Sequence, residues 1–445
     1  MPDDHTTTSD VPLAVAQPDQ VGPPPHLAEL ALTGLTAEQF DAFHRAEEHG
    51  FHEETPAEHL ELDRAVFDPE RFFGFTVDGR WVSTFGSFAR QLTVPGGAAI
   101  PASAVTAVTV HGAYRRRGLL RRSMSEEFRR CRDRGEVVAV LFASESSIYG
   151  RFGYANAASE AWLSGSTQAL RLRADVDGAL RAAGGSVDEV DRGAFIPLVR
   201  DLHDRLRARR PGSLDRPEDW WQLTLSDPVA WRKGATALRF LVSYNAAGMV
   251  DGHATYSVKW GGADAAGGIG IPTGEVQIRE VEAEFAVGYA RLWRYLISLD
   301  LVRTFTVDRA PVGHMLQYLV AGPRAIQTRL QDALYVRILD VASALSARRY
   351  AAPIDVVLDV RDDVLPESGG RFALRGGLDS AEAVRCDLDP DMTMSARELA
   401  SIYLGETSLG ALHAAGLVDE HRPGTVAAAS AAFGWPIAPY CADPF

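Results

Sequence analysis

The sequence predicts an α/β protein built on mixed sheets and divided into about three domains. Three observations carry that expectation. Strand, arginine turn, helix and buried strand follow one another from Ala104 to Ala143. An Asp78-Gly79 hairpin signal precedes them, and a chain of 445 residues exceeds what one ordinary core organises.

Residues 1 to 27 carry Pro2, Pro12, Pro18 and Pro23-Pro24-Pro25 among small polar residues, which predicts a flexible tail. Order is expected from about His26. Residues 34 to 50 read as a helix, with Thr36 as its cap and Phe40, Phe43 and His44 on one side. Gly74 to Leu92 alternates around Asp78-Gly79 and reads as a hairpin. Val105, Val108 and Val110 mark the next strand, which His111 to Tyr114 break. After Arg115-Arg116-Arg117-Gly118, the residues Leu120, Met124, Phe128 and Cys131 recur at helical spacing. Val137 to Ala143 is continuously apolar, as in a strand covered on both faces. A first domain over residues 28 to 155 follows.

The turn at Arg115 is the most informative feature. Free N–H groups at a helix start, beside three guanidinium groups, suit a diphosphate. Gly118 lets the main chain approach a phosphate closely. Taken alone, an arginine run reads more simply as a solvated face, and it is the surrounding element order that favours the anion site. No Gly-Lys-Ser/Thr follows it and no Gly-x-Gly-x-x-Gly occurs, so neither a Walker loop nor a dinucleotide fingerprint is present.

Between residues 156 and 332, Phe195 to Arg210 reads as a helix and Leu238 to Tyr256 as two strands. Val276 to Val281 then leads into a helix around Tyr289 to Leu299, without an Arg-x-x-Gly turn. Trp293 and the Trp220-Trp221 pair read as packing residues that could border a pocket. A last region, residues 333 to 445, is expected to open with a strand at Leu334 to Leu339 and a helix at Val341 to Ala347. Strands at Pro353 to Val360 and Gly370 to Arg375 and helices at Ala396 to Leu404 and Thr425 to Phe433 complete it.

Arg115-Arg116-Arg117-Gly118-Leu119-Leu120 resembles the acetyl-CoA loop of the GNAT superfamily of N-acetyltransferases, with Leu120 where a small residue is usual. Ala143-Ser144-Glu145 and Ile148-Tyr149-Gly150-Arg151-Phe152-Gly153-Tyr154 narrow the resemblance to the enhanced intracellular survival (Eis) family. Tyr403 and the terminal Phe445 extend it to the end of the chain. The resemblance implies two tandem GNAT-like domains, the second without a working acetyl-CoA loop, followed by a sterol carrier protein-like α/β domain. It implies acetyl-CoA as cosubstrate and primary amines of aminoglycosides as acceptors, with polyamines or protein lysines as variants, in a homo-oligomer that the family commonly builds as a hexamer.

Transfer of an acetyl group from a thioester to an amine needs a proton acceptor on the amine side and a proton donor for the departing thiolate. Tyr149, just past the buried strand, is the expected donor, and the resemblance places the general acid there and not at Tyr154. The resemblance also makes the Phe445 α-carboxylate the base or the group that orients the amine. Pro444 stands where close relatives can carry an acidic residue. On the cofactor side it implies backbone contacts from Val108 and Val110, a polarising backbone group at the splay residue Ala107, and loop contacts from Arg115, Arg116, Arg117, Gly118, Leu119, Leu120 and Ser144.

A formal charge of −14 argues against general nucleic-acid binding and is compatible with a cationic substrate. Cys131, Cys386 and Cys441 are odd in number and widely spaced, so no disulfide framework is expected. No His-x-x-x-His pair occurs and no metal is expected. The absence of an apolar span and of a signal sequence predicts a cytoplasmic protein that engages no membrane. A noncatalytic alternative, a CoA sensor whose last region holds an apolar ligand, would need neither Tyr149 nor a fixed terminus.

Overall fold

The computed structural model describes residues 30–261 and 272–445, so the expected tail lies outside the described residues. Short strand β1 (Leu32–Gly34) leads through a 3-10 turn at Ala37–Gln39 into α1 (Phe40–Phe51). The Thr36 N–H donates to Gln39 Oε1 at 3.1 Å, one half of a capping box, and Phe40 and Phe43 turn inward. Helix α2 (Ala57–Val66) follows, an element with no clear signal in the sequence. Strands β2 (Phe73–Val77) and β3 (Arg80–Thr93) form the expected hairpin. Asp78 and Gly79 both have positive φ, 50° and 75°, as a two-residue turn matched to strand twist requires.

Strand β4 (Ala99–Val110) pairs antiparallel with β3, and α3 (Leu119–Asp133) returns the chain to β5 (Val138–Phe142), parallel to β4. Met124, Phe128 and Cys131 face inward from α3, while Leu119 is buried more deeply than the expected Leu120. After α4 (Ser146–Tyr149) comes β6 (Ala155–Ser166). The second unit contains α5 (Ala174–Ala183), β7 (Ser186–Val190), α6 (Arg192–Arg207) and α7 (Glu218–Thr224). It continues through β8 (Arg239–Tyr244), β9 (Val250–Lys259), β10 (Gly274–Ala283), α8 (Ala286–Ile297), β11 (Val302–Pro311), α9 (Leu316–Leu319) and β12 (Ile326–Ile338).

The two units share one twelve-stranded sheet, in the order β1-β2-β3-β4-β5-β12-β6-β11-β10-β9-β8-β7. Strand β12 corrects one expectation. The apolar run Leu334 to Leu339 does not open the last region; its strand lies between β5 and β6, with Leu334 opposite Phe142 and Ile338 opposite Val138. A boundary at 332/333 would cut this strand. An apolar run shows that a strand is covered on both faces, but not which sheet covers it.

The last region comprises α10 (Val341–Ala347), β13 (Ile354–Arg361), β14 (Gly370–Gly376), β15 (Ala381–Arg385), β16 (Met392–Ser395), α11 (Ala396–Ile402), α12 (Leu409–Ala414), β17 (Val418–Glu420) and α13 (Thr425–Phe433). Its sheet has the order β15-β14-β13-β16-β17. One apolar core runs from Ala102, Val140 and Val336 of the central sheet to Leu358, Met394 and Leu399, so this region is packed onto the first unit. Tyr403 is fully buried there and its hydroxyl donates to the Ala344 carbonyl at 2.9 Å. The three cysteines are free, and among the described residues no helix is long and apolar enough to cross a membrane.

Candidate active site

Strands β4 and β5 pair only where Ala102 to Ala104 face Val138 to Val140, and then separate. The separation coincides with a bulge, because the register of β4 against β3 shifts between Thr106 opposite Gly86 and Thr109 opposite Thr84. Ala107 sits in that bulge with φ 54°. The Thr84 hydroxyl donates to the Ala107 carbonyl at 2.7 Å and lies 2.6 Å from the Thr109 hydroxyl, holding a conformation uncommon for a residue with a side chain. The Ala107 carbonyl is thereby engaged, and its N–H is the group suited to polarise a thioester. Beyond Ala104 the β5-side edge of β4, carrying Val108 and Val110, loses its parallel neighbour.

The arginine turn lies at the open end of this splay. Arg116 and Gly118 both take left-handed conformations, φ 60° and 80°, and the first turn of α3 contains no acidic residue. A Cβ at Gly118 would meet nothing within 4 Å, so its glycine serves the backbone geometry and not packing. Arg115, Arg116 and Arg117 are exposed. Arg115 Nε donates to the Val110 carbonyl at 3.3 Å, and the Arg117 guanidinium lies 5.4 Å from the Tyr114 ring centre. Leu119 is buried under the turn, Leu120 is half-buried, and Ser144 is exposed just past β5.

At the matching turn of the second unit, Glu282 lies in the last paired stretch of β10 and Glu284 stands between β10 and α8, and carboxylates there oppose a diphosphate. Trp293 is fully buried in that unit's core, 5.4 Å from the Phe305 ring. Trp221 is buried too, whereas Trp220 reaches a cavity.

Tyr149 is 8% exposed and belongs to the apolar cluster of Val105 and Leu141, against which Val108 and Leu120 also pack. Burial, with the Glu145 charge, pushes its phenol up to about 12. It therefore stays protonated at neutral pH.

The cavity that Trp220 reaches has a volume of about 670 Å³ and lies between α1, α2, β4, the second unit and the chain end. Ala107 and Phe445 both line it. Strand β4 is the meeting point: Val105 and Val108 pack with the Tyr149 cluster, while Thr106 and Ala107 face the cavity. The Phe445 ring packs edge-on against Phe142 at the end of β5.

Acidic and imidazole groups on α1 and α2 form one cavity wall, and of these groups the sequence marked only His44, as part of a helical face and not as a site. His59 Nδ1 is 2.7 Å from Ser226 Oγ, its ring lies 4.4 Å from Trp231, and its Nε2 is 3.5 Å from Asp63. Burial, then the His44 and Arg279 charges, lowers His59 to about 4. Burial also raises Asp63 to about 7, opposed by His44 and helped by Glu47. Loss of hydration thus outweighs pairing between these neighbours and favours their neutral forms. His44 shifts up, since Glu47, Asp63 and Glu48 together overcome its burial. The i, i+4 spacing of His59 and Asp63 was the available signal, but it could be used only once α2 was known to face a cavity.

Among the described residues two clusters could offer three ligands to a metal, Glu127 with Cys131 and Glu136, and His253 with Glu280 and Glu282. An arginine already meets the central carboxylate of each: Arg134 lies 2.9 Å from Glu127 and Arg216 lies 2.8 Å from Glu280.

The chain matches family models described as an acetyltransferase (GNAT) domain at residues 32–157, a second acetyltransferase (GNAT) domain at 212–338 and a sterol carrier protein domain at 341–442. It is 39% identical over 395 residues to an uncharacterized N-acetyltransferase of Streptomyces coelicolor, covering 86% of this chain and 92% of that one. N-acetyltransferase Eis of Mycobacterium tuberculosis is 33% identical over 328 residues, 73% of this chain and 76% of the relative. The crystal structure of Eis1 from Mycobacterium abscessus superposes with a TM-score of 0.78 at 28% identity, over 93% of this chain and all (100%) of that one.

Proposed function

The chain belongs to the Eis family of GNAT N-acetyltransferases, and from that premise we propose that it transfers the acetyl group of acetyl-CoA directly to a primary amine of a polycationic small molecule, an aminoglycoside or a polyamine. The observation that carries this reading is the shared cavity: Ala107, at the bulge of the splayed strand, and Phe445, at the chain end, line the same space.

The residues present suit acetyl-CoA. The unpaired edge at Val108 and Val110 accepts an extended amide-bearing arm, and Arg115 to Gly118 with the start of α3 accept a diphosphate. In the reaction the Ala107 N–H polarises the thioester carbonyl, and the Phe445 carboxylate orients the amine and takes its proton. The new N–C bond forms as the C–S bond breaks, and the Tyr149 hydroxyl gives its proton to the departing sulfur. Glu47, Glu53 and Asp63 in the cavity wall favour an acceptor with further ammonium groups.

Release of free thiol from acetyl-CoA, followed across a panel of amines, tests the proposal. Wild-type protein should turn over polyamines or aminoglycosides, and both Tyr149→Phe and deletion of Phe445 should slow it at least tenfold. Unchanged turnover in both variants would reject the mechanism. The working form on this reading is a cytoplasmic homo-oligomer, hexameric as the family resemblance implies, which sedimentation of the purified protein checks.

A further inference from the structure

The last six residues are held by a short segment of the second unit. Between α6 and α7, Gly212 N–H donates to the Thr93 carbonyl at 2.8 Å, and Thr93 N–H donates to the Ser213 carbonyl at 2.9 Å, which fixes the segment to β3. Tyr440 N–H donates to the Pro211 carbonyl at 2.9 Å. Gly212 has φ 87°, and a Cβ there would stand 3.2 Å from the Tyr440 nitrogen, so the tail lies directly against this backbone.

Arg216 ends the segment. Its side chain is fully buried, 0% exposed, with Nε 2.5 Å from Asp443 Oδ1 and Nη2 2.8 Å from Glu280 Oε1. Its guanidinium also covers the Trp221 ring, 4.9 Å from the centre. One planar fork therefore joins a carboxylate of β10 to a carboxylate two residues from the chain end.

We propose that Arg216 is a positioning residue for the acetyl transfer: by clamping Asp443 to Glu280 it keeps the Phe445 carboxylate in the acceptor cavity. The inference rests on the role given to Phe445 above. Two residues span about 7 Å at full extension, so a fixed Asp443 confines the terminal carboxylate to the cavity, whereas the five residues beyond Tyr440, if free, would sweep about 17 Å. A buried ion pair adds little net stability, and holding a single arrangement is a use that suits its place here. The Arg216 partners Asp443, Glu280 and Trp221 include no residue of β4 or of the arginine turn.

The experiment uses the full chain carrying Asp443→Ala and Asp443→Asn, in both of which Arg216 keeps Glu280 as partner. For Asp443→Ala we expect kcat to fall at least tenfold with KM for acetyl-CoA unchanged, and Asp443→Asn to lie between it and wild type. A proline-tolerant serine carboxypeptidase should release Phe445 at least tenfold faster from Asp443→Ala, as read by mass spectrometry. A wild-type kcat in Asp443→Ala overturns the proposal, and so does a fall in kcat without faster trimming. Full turnover after deletion of Phe445 would instead overturn the reading beneath it, an outcome distinguishable because the Asp443 variants would then be compared with an active truncated enzyme.

Discussion

The ring of Phe445 meets the ring of Phe142 edge to face, with centroids 5.4 Å apart and planes at 72°. Phe142 closes β5, the strand that borders the splay, so the chain end docks on the wall of the proposed transfer site. An aromatic pair of this kind contributes about 1 kcal/mol beyond its buried area. Phe142→Ala should lower the docked population of the terminus and reduce kcat by roughly fivefold. Steady-state kinetics should show KM for acetyl-CoA little changed; an equal loss in both parameters would place the defect in the strand itself.

Gly118 tests the anion turn. Its φ of 80° strains any residue with a Cβ, by about 1–2 kcal/mol, while the space around it is open. Gly118→Ala should therefore raise KM for acetyl-CoA by roughly fivefold with a folded protein, and Gly118→Asp by far more, because its carboxylate would face the diphosphate. Calorimetric titration with CoA measures both without recourse to turnover.

Tyr149→Phe removes only the proposed acid. General acid catalysis is commonly worth roughly 10²–10⁴-fold, so kcat should fall within that range while CoA affinity holds. Since burial raises the phenol to about 12, the wild-type rate should show no alkaline decline from this group below pH 10 or so.

Asp63 couples stability to pH. Its carboxyl is raised from 3.8 to about 7, so between those values the folded chain holds a proton that the unfolded chain has released. Stability attributable to this group is thus present at low pH and is lost as pH rises through the window to 7. Asp63→Asn should stabilise the protein by about 1–2 kcal/mol at pH 8 and change little at pH 4, as read by denaturant unfolding. A cationic acceptor favours the ionised carboxyl, so KM for the amine should fall as pH rises past 7 in wild type but stay flat in Asp63→Asn.

Local chemistry made much of the first unit legible. The Asp78-Gly79 turn, the buried run ending in Phe142 and the helix opened by Gly118 each depend on neighbours in sequence, and each stands where its pattern placed it. The helices Val341–Ala347 and Thr425–Phe433 were readable for the same reason. Leu334 to Leu339 was readable as a strand but not as a member of the central sheet, since its partners Val138 to Phe142 and Ala155 to Ala158 lie more than 170 residues earlier. The cavity wall was least visible. His59 and Asp63 are an ordinary helical pair until Ser226 and Trp231 of the second unit close over them.

By itself, then, the sequence determined the strand, arginine turn and helix to which the proposal assigns an acyl carrier, and the motif residues that mark the family, because backbone conformation and short-range periodicity decide those. Only the tertiary structure decided that Ala107 and Phe445 share one space, that β12 enters the sheet between β5 and β6, and that Arg216 secures Asp443. Those relations join residues up to several hundred positions apart, and they arise from burial of a common core and from charges that must find partners once water is excluded.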